Sequence, residues 1–276
     1  MSVFDEPKID CHVHVIDPAR FPYGKDIAYH PAGQEIGTAT QLDAVMQTYG
    51  VTHALLVQPN SGYEGDNACL LDAVARGKGR FKGIAIVRND ATLEELRSLQ
   101  AQGIAGVAFN ATFHGADYYK NSAGLIEKLA HLGMVLNLQV ERDQLLAFVP
   151  AIEQIPVRVL IDHCGRPAAR DGLGQPGFKA LLGLARFDRV AVKLSGFAKF
   201  SAEPYPFADT RPFVRALAEA FTLDRCLWAS DWPFLRSPQR QDYGPLAALA
   251  AQLFPDPADR RKLFLDTPRA LLGFGP

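Results

Sequence analysis

Lys8-Ile9-Asp10-Cys11-His12-Val13-His14-Val15 is the first of a series of short, β-branched runs in this chain of 276 residues. Side chains alternate between faces along an extended strand, so the run predicts His12 and His14 on one face and Cys11, Val13 and Val15 on the other. Runs of the same character recur at Thr52–Gln58, Phe81–Val87, Ile104–Asn110, Met134–Val140, Val157–Cys164, Val190–Gly196 and Cys226–Trp232. The intervening and closing segments carry apolar residues every three or four positions, at Leu42–Tyr49, Asp66–Arg76, Thr92–Gln100, Ser122–Leu132, Gln144–Ile155, Phe178–Phe187, Arg211–Phe221 and Leu246–Phe254. That period belongs to helices with one buried face. Strands alternating with helices in this way predict a distorted (β/α)8 TIM barrel, a single domain over residues 1–276, with an open doubly wound sheet as the competing architecture.

The composition suits one large soluble core: 48% of the residues are hydrophobic and 21% charged,. With 29 basic and 30 acidic residues the net charge is -1, so no global field favours nucleic acid or an anionic membrane. A small-molecule substrate is the expected partner, and no sequence signal bears on oligomeric state. The opening Met1–Lys8 has acids and a proline where a secretory leader would have a basic patch and an apolar run,. No stretch approaches the ~20 apolar residues of a membrane span. Cys11, Cys69, Cys164 and Cys226 are scattered and read as reduced, in keeping with a cytoplasmic location,.

Barrel enzymes keep their sites at the C-terminal ends of the strands. The first run ends near His12 and His14, the sixth in Asp162-His163-Cys164-Gly165-Arg166-Pro167, and the eighth in Ser230-Asp231-Trp232-Pro233. Barrel closure sets the eighth strand beside the first, so three imidazoles and the Asp231 carboxylate meet at one mouth, a set able to hold a metal or a water molecule. Each has a blander alternative: a hydrogen-bonded histidine pair for His12 and His14, a core histidine for His163, a turn cap for Asp231. Their joint occurrence at three strand ends favours a site. Tyr23 and Tyr29 in the long loop from Ile16 to Thr38, Gln58 and Asn60 after the second strand, Arg88 after the third and Arg166 after the sixth are the candidate substrate contacts. Gln58 and Asn60 equally suit turns, Tyr23 suits packing under its loop, and Arg166 suits an outer salt bridge. The loop Lys199–Arg211 is the second candidate cover for the mouth.

The chain resembles the amidohydrolase superfamily, in the branch that holds 2-pyrone-4,6-dicarboxylate lactonases and sugar-lactone hydrolases. The resemblance rests on Ile9–Val15, Phe21-Pro22-Tyr23, Asp162–Pro167, Ser230–Pro233 and the closing Asp266-Thr267-Pro268-Arg269-Ala270-Leu271. It implies that His12, His14, His163 and Asp231 form the polar centre and hold any metal, with Asp231 the general base toward water. Two departures restrict the cofactor. The fourth strand, Gly106–Asn110, has no lysine to bridge two metals, and the fifth offers Gln139 where many relatives place a histidine. The expectation is therefore no required metal or one divalent ion, zinc or manganese, and not a binuclear site.

The resemblance also bears on the substrate. Dicarboxylate-specific relatives place arginines after the fourth and seventh strands, where this chain reads Ala108–His114 and Leu194–Phe200 without them. Unpaired buried carboxylates are costly, so a less charged lactone is expected, either carboxylated or sugar-derived. A hydrolase opening such a ring is the leading reading. A metal-dependent decarboxylase of an unsaturated acid and a non-catalytic ligand-binding barrel are the alternatives.

Overall fold

In the computed structural model, which describes Ser2–Gly275, eight parallel strands pair in chain order into one sheet. They are β1 (Lys8–Val13), β2 (Val51–Val57), β3 (Phe81–Ala85), β4 (Ile104–Asn110), β5 (Val135–Gln139), β6 (Arg158–Ile161), β7 (Val190–Leu194) and β8 (Cys226–Trp228). Because β8 is so short, the seam with β1 closes beyond its end. Val13 bridges Trp232, the His14 N–H donates to the Trp232 carbonyl at 2.8 Å, and the Asp231 N–H donates to the His12 carbonyl at 2.9 Å. Barrel closure and the attachment of Asp231 are thus the same two hydrogen bonds.

Several of the runs stop being extended before their last expected residue. Past Ile161, Leu194 and Trp228 the backbone turns inward over the mouth. His163, Cys164, Gly165 and Arg166 take φ of 52°, 57°, 72° and 44°, and Asp231 takes 64°. Left-handed backbone disfavours residues with a Cβ, and its concentration at the mouth is typical of a functional rim. The region expected as one helix over Gln144–Ile155 is instead a 3-10 turn, Arg142–Ala147, followed by a short helix, Val149–Gln154. Pro150 has no N–H to bond back into a preceding turn, which is why the two cannot merge.

The barrel interior has two halves. Ile9, Cys11, Leu55, Ile84, Ala108, Val135, Leu160, Ala191 and Leu227, one or more from every strand, form a dry cluster with Leu265, Leu272 and Phe274 of the C-terminal segment beneath it. Cys11 belongs to this cluster, contrary to the strict alternation expected of β1. One extra residue between Asp10 and Val13 relative to β2 makes a bulge there,. The bulge lets Cys11 and His12 both face inward, while Asp10 reaches out to the Tyr243 hydroxyl at 2.8 Å. All four cysteines are buried and free. No helix among the described residues is long and apolar enough to cross a membrane.

Candidate active site

His12, His14 and His163 turn their Nε2 atoms toward one oxygen. Asp231 Oδ1 lies 3.8 Å from His12, 3.4 Å from His14 and 3.6 Å from His163, while Lys199 Nζ stands 3.4 Å from Asp231 Oδ2. Each ring is fixed from behind through Nδ1: His14 by the Val57 carbonyl at 2.8 Å, His163 by Ser195 Oγ at 3.0 Å, His12 by Asp162 Oδ1 at 3.2 Å. His14, His163, Asp231 and Lys199 line a cavity of about 330 Å³, with His12 buried behind them.

Below it lies a fully buried polar layer that sequence reading did not assemble. Lys193 Nζ is 2.8 Å from Asp162 Oδ1 and donates to Asn137 Oδ1 at 2.6 Å, and Asn137 returns a 2.6 Å bond to the other Asp162 oxygen. Lys193 thus fills the barrel interior, paired with a carboxylate. Asp10 is a second unanticipated support. Its Oδ1 accepts from the Ser230 N–H at 3.0 Å and so pins the turn that carries Asp231. An acid in the middle of a buried run was the available signal for it.

The pattern describing the Amidohydrolase family matches residues 9–274. The chain belongs to the amidohydrolase family. It is 34% identical over 274 residues to a 4-sulfomuconolactone hydrolase of Rhizobium radiobacter, covering 96% of this chain and 89% of that protein. A 2-pyrone-4,6-dicarboxylate hydrolase of Comamonas testosteroni is 28% identical, with 95% and 89% covered. Among solved structures, a probable 2-pyrone-4,6-dicarboxylic acid hydrolase from Acinetobacter baumannii with citric acid bound superposes with a TM-score of 0.87 at 26% identity, covering 97% and 99% of the two chains.

The electrostatics of this amidohydrolase site follow from burial and mutual contact. Burial pushes the His163 imidazole down to about 3 and lowers that of His12, so both rings are neutral near pH 7 and carry a free lone pair or a single N–H. For Asp231, burial works upward, but opposing charge, the Lys199 ammonium foremost, outweighs it and holds the carboxyl well below its ordinary range. The same balance, with Lys193 and His12 as the opposing groups, keeps Asp162 ionised.

The donor set fits one divalent cation. One ligand atom each from His12, His163 and Asp231 lies within 4.8 Å of the others, and His12 Nε2 is buried without a hydrogen-bond partner. Gln139 is committed elsewhere: its amide nitrogen donates to Thr112 Oγ1 at 2.8 Å and Asn110 Oδ1 at 3.3 Å.

The candidate substrate contacts divide. Arg166 and Asn60 line the cavity. Tyr29 stands behind it, under the Arg236 guanidinium, with its hydroxyl on Glu35. The others lie away from it. Tyr23 donates to the Pro31 carbonyl at 2.7 Å and packs on Tyr63, and Gln58 spends its amide nitrogen on the carbonyls of Glu64 and Asp66. Arg88 pairs with Asp90 at 2.9 Å beside a separate open groove. These three follow strand ends as rim residues do, but their polar atoms are spent on a backbone carbonyl or a neighbouring carboxylate outside the cavity. Arg236, Asn110, Thr112, Glu141 and Lys199 also line the cavity and were not among the expected contacts.

Proposed function

We propose that this chain is a lactone hydrolase, which opens a cyclic ester of a small carboxylated or sugar-derived acid by attack of a water activated at Asp231. The observation that carries the reading is the convergence of three imidazole nitrogens on one carboxylate oxygen beside a cavity at the barrel mouth. The named activities of the relatives supply the reaction class.

The residues divide the work as follows. Asp231 takes a proton from water as the water oxygen attacks the ring carbonyl. A carboxylate held so low is a weak base by itself. The proton moves, however, as negative charge passes from Asp231 to the carbonyl oxygen, and the Lys199 ammonium, which had stabilised the carboxylate, then stabilises the oxyanion,. When the tetrahedral species collapses, the bond to the ring oxygen breaks and Asp231 returns its proton to that oxygen. The product is a hydroxy acid, which at neutral pH gives up its carboxyl proton to solvent. A zinc or manganese ion held by His12, His163 and Asp231 would supply Lewis acidity to the same carbonyl.

A panel of aldonolactones, muconolactones and pyrone carboxylates, followed with a pH indicator, tests the proposal. Turnover of at least one ring class that disappears in Asp231→Asn is the expected result. A folded protein inert toward the whole panel would remove it.

A further inference from the structure

The two walls of the cavity differ in chemistry. On one side Arg166 and Arg236 approach the mouth beside Lys199. Arg166 gives one terminal nitrogen to Glu141 at 3.3 Å, while its Nε is buried with no protein partner. Arg236 forms no ion pair among the described residues. Its guanidinium rests 5.3 Å from the centre of the Tyr29 ring, and Glu35 accepts both the Tyr29 hydroxyl and the Arg236 backbone N–H. The first long loop therefore fixes a guanidinium at the mouth while leaving its nitrogens free.

On the other side runs a directed chain of amides. Gln139 Nε2 donates to Thr112 Oγ1 at 2.8 Å, and the Thr112 hydroxyl donates to Asn110 Oδ1 at 2.7 Å. Asn110 Nδ2 donates to Asn60 Oδ1 at 2.8 Å, and Asn60 Nδ2 meets His114 Nε2 at 3.0 Å. The Thr112 hydroxyl has one proton and gives it to Asn110, so its oxygen must accept from Gln139. A flipped Gln139 would set oxygen against oxygen at both contacts. Gln139 Oε1 is thereby left as an acceptor with no hydrogen-bond donor among the described residues, on the same β5 end as the Glu141 carboxylate.

We infer that these walls select the charge of the substrate: one anionic group, carboxylate or sulfonate, at the Arg166–Arg236 side and an uncharged hydroxyl-bearing carbon at the Gln139 side. This deepens the lactonase reading and rests on it. A hydroxyl donates to Gln139 Oε1, whereas a second carboxylate there would face an acceptor oxygen and Glu141 with no cation of its own. Arg236 and Gln139 are the specificity-determining residues of this arrangement.

The experiment compares kcat/KM at fixed ionic strength for four lactones on one ring: neutral, monocarboxylated, monocarboxylated with a free hydroxyl, and dicarboxylated, with a monosulfonated analogue to compare the two anions. The hydroxylated monoacid should exceed both the neutral and the dicarboxylated ring by about tenfold or more, the scale of one charge-assisted hydrogen bond. In Arg236→Gln the preference for the monoacid over the neutral ring should fall about tenfold, mainly through KM. In Gln139→Lys the dicarboxylate should gain about tenfold relative to the hydroxylated monoacid. A dicarboxylate turned over as well as the hydroxylated monoacid by the native enzyme overturns the inference without any variant, and so do unchanged ratios in two folded variants. Inertness toward all the rings would instead strike at the lactonase reading, and this inference would fall with it.

Discussion

The lower and upper halves of the barrel interior obey different physics. The lower half is filled by Ile9, Leu55, Ile84, Leu160 and Leu227 and floored by Leu265, Leu272 and Phe274, and nothing in that cluster carries charge. The upper half holds two buried carboxylates, a buried lysine and three histidines, and its rim residues His163, Cys164, Arg166 and Asp231 are held at positive φ. Apolar packing below supplies the free energy that lets strained backbone and desolvated charge persist above. The expected consequence is a separation of effects, in which changes above alter rate and changes below alter stability.

Asp231→Asn should give the largest effect. Turnover falls by ~10² to 10⁴, the usual contribution of a general base, while circular dichroism shows an intact fold. The matching test below is Leu160→Ala, which should lower unfolding free energy by about 2–5 kcal/mol and leave kcat per folded molecule near the native value. If Leu160→Ala slows the chemistry as much as Asp231→Asn does, the two halves are not separable.

Lys193 sits on the boundary between them. Lys193→Met removes the ammonium 2.8 Å from Asp162 and leaves a buried carboxylate without its cation, a change expected to cost about 3–5 kcal/mol in denaturant unfolding. Because His12 Nδ1 lies 3.2 Å from both Asp162 and Lys193, turnover should fall as well, so that here a large loss of rate and a large loss of stability come together. Gly196→Ala is the purer change above. Gly196 has φ of +65°, and an added Cβ would lie 2.5 Å from His163 Cγ. The His163 ring must then leave its place, so turnover should fall more than about tenfold, whereas strain of about 1–3 kcal/mol lowers the thermal midpoint by several degrees only.

The same division explains what could be read in the sequence. Apolar periodicity encodes burial, so all eight strands and the barrel were legible from runs such as Ile104–Asn110, whose bounds are those of β4. His12, His14, His163 and Asp231 were legible because a polar residue ending a β-branched run has few places to point other than the barrel mouth. The Arg236 part of the arginine wall was not. Arg236 reaches the cavity only because Glu35 and Tyr29, from a loop some 200 residues earlier in sequence, hold it there, and no local pattern records that contact. Arg88 failed as a rim residue for the converse reason: an aspartate two positions on satisfies its guanidinium outside the barrel. The bulge in β1 was equally invisible, since it arises from pairing with β2 and not from the composition of β1.

Lys8 is a fully buried charge at the foot of the barrel, where burial and not a paired charge decides its behaviour. Lys8 Nζ is enclosed by the carbonyls of Glu6 at 2.6 Å, Tyr49 at 2.7 Å and Phe4 at 3.3 Å, and burial lowers its ammonium to about 8 despite the opposing pull of Glu6 and Asp5. An unfolded lysine titrates near ~10.4. Below pH 8 both states are charged, and between the two values the unfolded chain keeps a proton that the folded chain has released. Stability from Lys8 is therefore complete above the unfolded value and is lost as pH falls through about 8,. Groups elsewhere cancel when native protein is compared with Lys8→Met. The difference in unfolding free energy should accordingly move in favour of the native protein as pH rises from ~8 to ~10, by at most about 1.4 kcal/mol per pH unit. A flat difference would mean that the three carbonyls compensate the ammonium fully, and that the floor tolerates charge as well as the mouth does.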